Sequence, residues 1–238
     1  MKARLHELCR SVHSGLHDLL NLFLPRYCPV CQHPLNTTES CVCGGCLLTL
    51  PYIEPGDFYD NPTARLFWGK IPVERVYCFM KYADDLPSRP LVHALKYYHR
   101  AEVGLLLGRM MARFLQSRGF FEGVDCIIPV PLHWWRQFGR GYNQSEKLAR
   151  GVAEVTGLPV LNHKVVRLRN NPTQTQKTVQ ERIANTRNLF QAHGPFPVSH
   201  ILLVDDILTT GSTLCACADA IHQAASDVRI SILSLAQA

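Results

Sequence analysis

The run over residues 201–213 constrains the fold of this chain more than any other part of the sequence. It reads Ile-Leu-Leu-Val-Asp-Asp-Ile-Leu-Thr-Thr-Gly-Ser-Thr, so an apolar segment precedes two adjacent carboxylates and a loop rich in hydroxyl groups. The pattern predicts a buried strand at 201–204 and a helix at 212–224. Because ligands of open α/β sheets bind outside the carboxyl ends of the strands, the run also predicts a ligand site.

The loop after the two acids has the composition of a phosphate site. Gly211 permits close approach of the backbone, and a helix N-terminus offers unpaired N–H groups with a partial positive charge. The carboxylates of Asp205 and Asp206 would repel a phosphate, so we assign them to sugar hydroxyls or to a metal-bound sugar diphosphate. An ordinary strand end with a capping serine is the alternative, but it leaves the two adjacent acids unexplained. The predicted phosphate donors are Thr209, Thr210, Gly211, Ser212 and Thr213.

The rest of the chain alternates strands with helices, which predicts a doubly wound, mainly parallel sheet. An amphipathic N-terminal helix is predicted over residues 4–24. The predicted divisions are this helix (1–26), a cysteine-rich knuckle (27–50), a linker or hood (51–75) and the α/β domain (76–238). Further strands are predicted at 76–82, 126–130 and 228–235, and further helices at 90–99, 102–118 and 142–155.

Four of the ten cysteines form two Cys-x-x-Cys pairs, Cys28/Cys31 and Cys43/Cys46. Each pair aims two thiolates at one point, and two pairs complete a tetrahedral sulfur shell. Zinc suits this shell best, with an iron–sulfur centre or metal-free thiols as alternatives. Cys41 could replace Cys43 as a ligand. Since the shell leaves no open position, we expect the metal to be structural.

Positive charge is concentrated in the middle of the chain. Residues 133–190 contain ten Lys or Arg and three Glu, whereas the formal net charge of the whole chain is only +6. Such a stretch predicts an anionic partner, either a diphosphate-bearing molecule or nucleic acid, with a solvated helix face as the alternative. No apolar run approaches the ~20 residues that span a bilayer, and charged residues interrupt the N-terminal segment. We therefore expect a soluble, cytoplasmic protein that is not an integral membrane protein.

These motifs together resemble a known family. Residues 201–213 resemble the ribose-5-phosphate-binding motif of the type I phosphoribosyltransferases. In combination with the two Cys-x-x-Cys pairs, with Pro129-Val130-Pro131, with Arg140-Gly141-Tyr142-Asn143-Gln144-Ser145 and with the 173–188 region, they resemble the ComF family. Its members are phosphoribosyltransferase-like proteins linked to DNA uptake and natural competence. The resemblance implies the mainly parallel α/β sheet of the type I phosphoribosyltransferase fold, with a small N-terminal zinc-ribbon-like segment.

The resemblance also implies a site for phosphoribosyl pyrophosphate with Mg²⁺. The acids would contact the ribose hydroxyls, the loop after them the 5′-phosphate, and a second loop after Pro131 the pyrophosphate. The polar stretch 169–182 would close over the reacting centre. The residues implied for catalysis are Asp205, Asp206 and Arg140. Those implied for substrate binding are Thr209, Thr210, Gly211, Ser212, Thr213, Arg136, Asn143, Gln144 and Lys177, and those for the zinc ion are Cys28, Cys31, Cys43 and Cys46.

Three functions are compatible with these motifs. The first is an active phosphoribosyltransferase, a glycosyltransferase whose acceptor no motif names. The second is a protein that binds single-stranded DNA on the same fold, and the third is a phosphoribosyl pyrophosphate sensor that reports to other DNA-uptake proteins. Trp134 and Trp135 could stack on bases or pack at the base of a loop. The acceptor-binding hood is expected from residues 51–100 or from the cysteine segment, since the chain ends directly after the last strand.

Overall fold

The computed structural model describes residues 25–98, 100–168 and 189–238, without the side chain of Arg136. The chain divides into two compact units, Met1–Leu50 and Pro51–Ala238. The predicted helix at 4–24, the polar stretch at 169–182 and Lys177 lie outside the described residues. None of the helices in the described ranges combines the length and apolarity needed to cross a bilayer.

In the smaller unit, the described residues form cysteine-bearing turns and one short helix, α1 (Gly44–Leu48). Cys43 caps this helix, because its Sγ accepts a hydrogen bond from the Cys46 N–H at 3.4 Å. The Glu39 Oε1 atom accepts a second hydrogen bond from the Gly44 N–H at 2.8 Å. The guanidinium of Arg26 donates to the Ser40 carbonyl at 3.0 Å. These polar contacts fix the turns that carry the cysteines.

A four-stranded parallel sheet with the order β1-β6-β5-β2 forms the centre of the larger unit. This sheet confirms the predicted fold class. A separate two-stranded antiparallel sheet, which the sequence patterns did not predict, pairs β3 with β4. The strands are β1 (Val76–Lys81), β2 (Cys126–Pro129), β3 (Val165–Arg167), β4 (Phe190–Ala192), β5 (His200–Leu208) and β6 (Arg229–Gln237).

The predicted helices correspond to α2, α3, α5 and α6, with ends within two residues of the predicted ones. Helix α4 was not predicted, because its apolar residues Trp134, Trp135 and Phe138 form no inward stripe and are exposed. The helices of the larger unit are α2 (Ser88–Tyr97), α3 (Ala101–Gln116), α4 (Trp134–Arg140), α5 (Gln144–Thr156) and α6 (Ser212–Ala224).

Helices α3 and α5 approach so closely that their backbones touch. A Cβ atom on Gly108 would lie 2.2 Å from the Leu148 carbonyl oxygen, and one on Gly151 would lie 2.3 Å from the Leu105 carbonyl oxygen. Only glycine fits at such a crossing. Helix α5 also packs on β2 and β5, so this contact seats its N-terminus next to the ends of those two strands.

Strand β5 continues four residues beyond the predicted segment, to Leu208, so Asp205 and Asp206 lie within the strand and not after it. The extension follows β6, which pairs alongside as far as Gln237. On its other side, β2 ends at Pro129, opposite Val204. Within the described residues, no strand pairs with the β2-facing edge of β5 from Asp205 onwards, and the candidate site forms at this step.

Candidate ligand site and cysteine cluster

Asp205 lies at the centre of the candidate site and is 8% exposed. Its Oδ1 atom accepts hydrogen bonds from the Ser145 hydroxyl at 3.0 Å and from the Asp206 N–H at 2.9 Å. Burial raises the pKa of Asp205 to about 7, and repulsion from Asp206 adds to this rise. The two hydrogen bonds and the charge of Lys96 oppose the rise. Asp205 is therefore a carboxyl group that exchanges its proton near neutral pH.

Asp206 is paired with Lys96 from α2. The distance from Oδ2 to Nζ is 3.1 Å, and the side chains are only 15% and 18% exposed, respectively. The sequence motifs did not single out Lys96. The signal that could have found it is its place four residues after the buried Val92, because that spacing puts a lysine on the inward face of a helix.

The stretch from Arg140 to Ser145 ties the strand ends together through its side chains. Asn143 caps α5 by accepting the Ser145 N–H at 3.1 Å, and its Nδ2 donates to the Val130 carbonyl at 3.0 Å. The Gln144 Oε1 atom accepts from Arg140 Nη1 at 3.1 Å. Asn143 and Gln144, both predicted to bind the pyrophosphate, are buried and make these contacts within the protein. Ser145, to which the sequence assigned no role, holds Asp205.

The last turn of α2 contacts the site at three consecutive residues. The Tyr142 hydroxyl donates to the Leu95 carbonyl, and Lys96 pairs with the second acid of the site. The guanidinium carbon of Arg140 lies 5.2 Å from the centre of the Tyr97 ring, a cation–π contact. One helix end thus contacts both Asp206 and the stretch predicted to bind the diphosphate.

The loop between β5 and α6 presents hydroxyl groups at the start of a helix. The Oγ atoms of Thr210 and Ser212 lie 2.8 Å apart. Gly211, with φ 76°, precedes α6 and supplies no side-chain cap, so an anion could take that place. A Cβ atom on Gly211 would also lie 3.0 Å from a ring carbon of Phe67. The loop side chains are exposed at Thr209, Thr210 and Ser212 and half-buried at Thr213.

Most of the residues predicted for the ligand site either contact one another directly or lie on β5, on α6 or in the loop between them. Exceptions are Arg136, whose side chain is not described, and Lys177, which lies outside the described residues. Carboxylate oxygens are ligands that suit Mg²⁺, so Asp205 and Asp206 could help to hold Mg²⁺ on a diphosphate. The arrangement combines acceptors for sugar hydroxyls with donors for phosphate.

The two Cys-x-x-Cys pairs of the smaller unit converge. The sulfur atoms all lie within 4.8 Å of one another, and those of Cys31 and Cys43 are 3.6 Å apart. A tetrahedral shell with Zn–S bonds of about 2.3 Å places its sulfur atoms about 3.8 Å apart, so the spacing fits zinc. Cys41 is buried and is not part of the cluster. The four converging cysteines are Cys28, Cys31, Cys43 and Cys46.

The raised pKa of Asp205 predicts a pH-dependent stability. Because the folded protein holds this proton to higher pH than the unfolded chain, Asp205 contributes a loss of stability as pH rises from about 4 to about 7. Asp205→Asn keeps the hydrogen-bond acceptor but cannot ionise. We expect its stability relative to wild type to increase over this pH range, by up to about 4 kcal/mol.

Urea denaturation of the zinc-loaded protein without added Mg²⁺ at pH 4.5, 6 and 8 measures this difference. Asp84→Asn, at a position whose side chain is 88% exposed, is the matched control for loss of one carboxylate. Parallel pH curves for wild type and Asp205→Asn would contradict the prediction.

Comparisons with known proteins place these features in a family. A family model described as "Phosphoribosyl transferase domain" matches residues 140–236. The chain is 30% identical over 190 residues to the DNA utilization protein YhgH of Escherichia coli, an alignment that covers 79% of this chain and 80% of that protein. It is 27% identical over 209 residues to competence protein F of Haemophilus influenzae, with 82% and 90% covered. It is 32% identical over 88 residues to competence protein ComFC of Bacillus subtilis, with 37% and 34% covered. Similarity of this extent shows that the chain belongs to the ComF family and that its larger unit has the type I phosphoribosyltransferase fold.

Proposed function

We propose that this chain binds phosphoribosyl pyrophosphate with Mg²⁺ at the carboxyl end of β5 and acts in DNA uptake during natural competence. The observation that carries the proposal is the acidic pair in the last four residues of β5, followed after two apolar residues by an exposed hydroxyl loop that opens α6. The relatives named competence protein and DNA utilization protein support the cellular role.

In the proposed complex, each part of the ligand meets side chains of complementary charge. Asp205 and Asp206 accept hydrogen bonds from the ribose hydroxyls. The loop from Thr209 to Thr213 and the N-terminus of α6 bind the 5′-phosphate through hydroxyl and N–H groups. Arg140 binds the diphosphate, because a guanidinium is a planar donor that matches phosphate oxygens. The carboxylates thus contact the sugar, whereas the hydroxyl, N–H and guanidinium groups contact the phosphates.

If the site also catalyses transfer, the chemistry follows from the same arrangement. The bond from C1′ to the pyrophosphate oxygen breaks and pyrophosphate leaves with the electron pair, while the acceptor atom bonds to C1′ and its proton passes to the departing pyrophosphate or to water. Positive charge develops on the ribose ring, and nearby carboxylates stabilise it. Mg²⁺, when bound, neutralises diphosphate charge. His133 is not a convincing base for the acceptor proton, because it is buried and its Nδ1 accepts the Trp135 N–H at 3.3 Å as the cap of α4.

Replacing both acids tests the binding site. We expect Asp205→Ala/Asp206→Ala to weaken binding of phosphoribosyl pyrophosphate at least about 100-fold, because charge-assisted hydrogen bonds contribute about 1.5–3 kcal/mol each. Calorimetry with Mg²⁺ present measures the affinity, and Asp84→Ala controls for the loss of a surface carboxylate. Unchanged affinity in the double variant would refute this site. Normal transformation by a naturally competent host that carries the double variant would separate the site from DNA uptake.

The smaller unit is proposed to bind one structural zinc ion through Cys28, Cys31, Cys43 and Cys46. A segment with so few buried side chains gains its stability from the metal. Four thiolates persist best in a reducing compartment, which supports a cytoplasmic location.

Elemental analysis of the purified protein tests the zinc site. We expect one zinc ion per chain in wild type and loss of zinc in Cys28→Ser, because three thiolates bind it more weakly than four. Cys41→Ala is the matched control and is expected to keep its zinc, since the Cys41 sulfur lies outside the cluster. Zinc retained in Cys28→Ser and lost in Cys41→Ala would overturn the assignment of ligands.

Binding of single-stranded DNA is a second candidate function, favoured by the surface of α4. Trp134, Trp135 and Phe138 are 61%, 59% and 85% exposed, and the indole rings stack at 4.4 Å. Residues 126–145 contain two arginines and no acid. Exposed aromatic rings in a basic setting suit the bases and phosphates of a single strand.

Anisotropy of a labelled single-stranded oligonucleotide tests this candidate. Trp134→Ala/Trp135→Ala is expected to weaken binding about 10-fold or more, because stacking contributes about 1–3 kcal/mol per base. Binding should also fall steeply with salt. Trp68→Ala, at another exposed tryptophan (56%), is the control. An equal loss in the control variant, or no dependence on salt, would refute α4 as the DNA-binding surface.

A further inference from the structure

Lys96 forms an ion pair with Asp206, one of the two acids that the proposed function assigns to the ribose hydroxyls. Its Nζ lies 3.1 Å from Asp206 Oδ2, and both side chains are more than four-fifths buried. A ribose hydroxyl that donates to this Oδ2 atom competes with the ammonium group for it. Because a partly buried ion pair is held more strongly than one at the surface, the competition lowers the affinity for any ligand that offers only a sugar.

The surroundings of Lys96 offer it a second anionic partner when a diphosphate is present. Lys96 adjoins Tyr97, whose ring carries the guanidinium of Arg140 at 5.2 Å. Arg140 belongs to the stretch predicted to bind the diphosphate, so the last turn of α2 contacts that stretch as well as Asp206. A diphosphate carries several negative charges and several acceptor oxygens, so it can bind an ammonium group in addition to Mg²⁺ and one guanidinium. The lysine stem is long and flexible, which lets its ammonium group change partners without movement of the helix.

The backbone that carries Lys96 is held in place independently of its ion pair. The Tyr142 hydroxyl binds the Leu95 carbonyl, and Arg140 contacts Tyr97, so the residues on both sides of Lys96 are anchored to the same stretch. Leu95 itself is fully buried. The last turn of α2 is therefore fixed, and the terminal ammonium group is the part that can move.

On this basis, and on the proposed function, we propose that Lys96 is a specificity-determining residue that exchanges Asp206 for the diphosphate of the ligand. When the ligand carries a diphosphate, Lys96 binds that group and leaves Asp206 to the ribose. When the ligand lacks a diphosphate, Lys96 stays on Asp206 and opposes binding of the sugar. The site thereby favours phosphoribosyl pyrophosphate over ribose 5-phosphate, its counterpart without the diphosphate.

The exchange predicts opposite effects of one substitution on two ligands. In Lys96→Met, which keeps the stem and removes the charge, affinity for phosphoribosyl pyrophosphate with Mg²⁺ falls about 10-fold or more, because one charge-assisted contact is lost. Affinity for ribose 5-phosphate stays the same or increases, because its competitor is gone. Calorimetry measures the first ligand, and nuclear magnetic resonance titration measures the weaker second one.

Two further variants keep the test interpretable. Lys164→Met removes an equal charge from a lysine whose Nζ binds the Pro195 carbonyl at 3.1 Å, and it should change neither affinity. Lys96→Arg keeps the charge and protects folding if Lys96→Met is unstable. The arginine guanidinium binds a carboxylate in bidentate fashion, so Lys96→Arg should weaken the binding of ribose 5-phosphate more than that of phosphoribosyl pyrophosphate.

The outcomes separate this inference from the function on which it rests. Opposite or unequal effects on the two ligands, as described, support the exchange. An equal loss for both ligands in Lys96→Met and in Lys96→Arg means that Lys96 only supports the structure, and the inference fails while the proposed function stands. If wild type binds no phosphoribosyl pyrophosphate, the proposed function and the inference fail together.

Discussion

The hydrogen bond from Ser145 to Asp205 is the contact on which the geometry of the site depends. It joins the first turn of α5 to the second half of β5, at the place where β2 has ended and no other strand of the described ranges pairs with that edge. Asn143 completes the junction by binding the carbonyl just after β2. Side-chain hydrogen bonds thus replace strand pairing at the step in the sheet, and they position both acids.

The two acids at this junction are electrostatically unfavourable, and groups from several elements stabilise them. Two adjacent carboxylates at a buried strand end repel each other and lose hydration. The Ser145 hydroxyl and the Asp206 N–H donate hydrogen bonds to Asp205, and the ammonium group of Lys96 pairs with Asp206. A purely structural strand would be more stable with apolar residues at these positions, so the two buried acids support the proposed ligand site.

The sequence was informative where one local pattern decides the structure. The acids, the glycine-containing loop and the cysteine pairs each depend on residues that are close along the chain, and the alternation of strands and helices was enough for the fold class. Helix α4 was missed because its apolar residues face outwards, which no inward stripe reveals. The end of β5 was placed too early because β6, a distant partner, decides how far it extends. Lys96 and Ser145 were missed as site residues for the same reason, since the contacts that define them come from other elements.

The packing of Phe67 beneath Gly211 makes the segment before β1 part of the support for the proposed phosphate loop. A Cβ atom on Gly211 would lie only 3.0 Å from the ring, tighter than ordinary contact, so the backbone of the loop rests against a fully buried aromatic side chain from residues 51–75. Each position limits what the other can become, although they are far apart in the sequence. Over evolutionary time the two should therefore change together: a relative that replaces the glycine by a residue that tolerates the left-handed conformation, such as asparagine, should also carry a smaller side chain at the position of the phenylalanine.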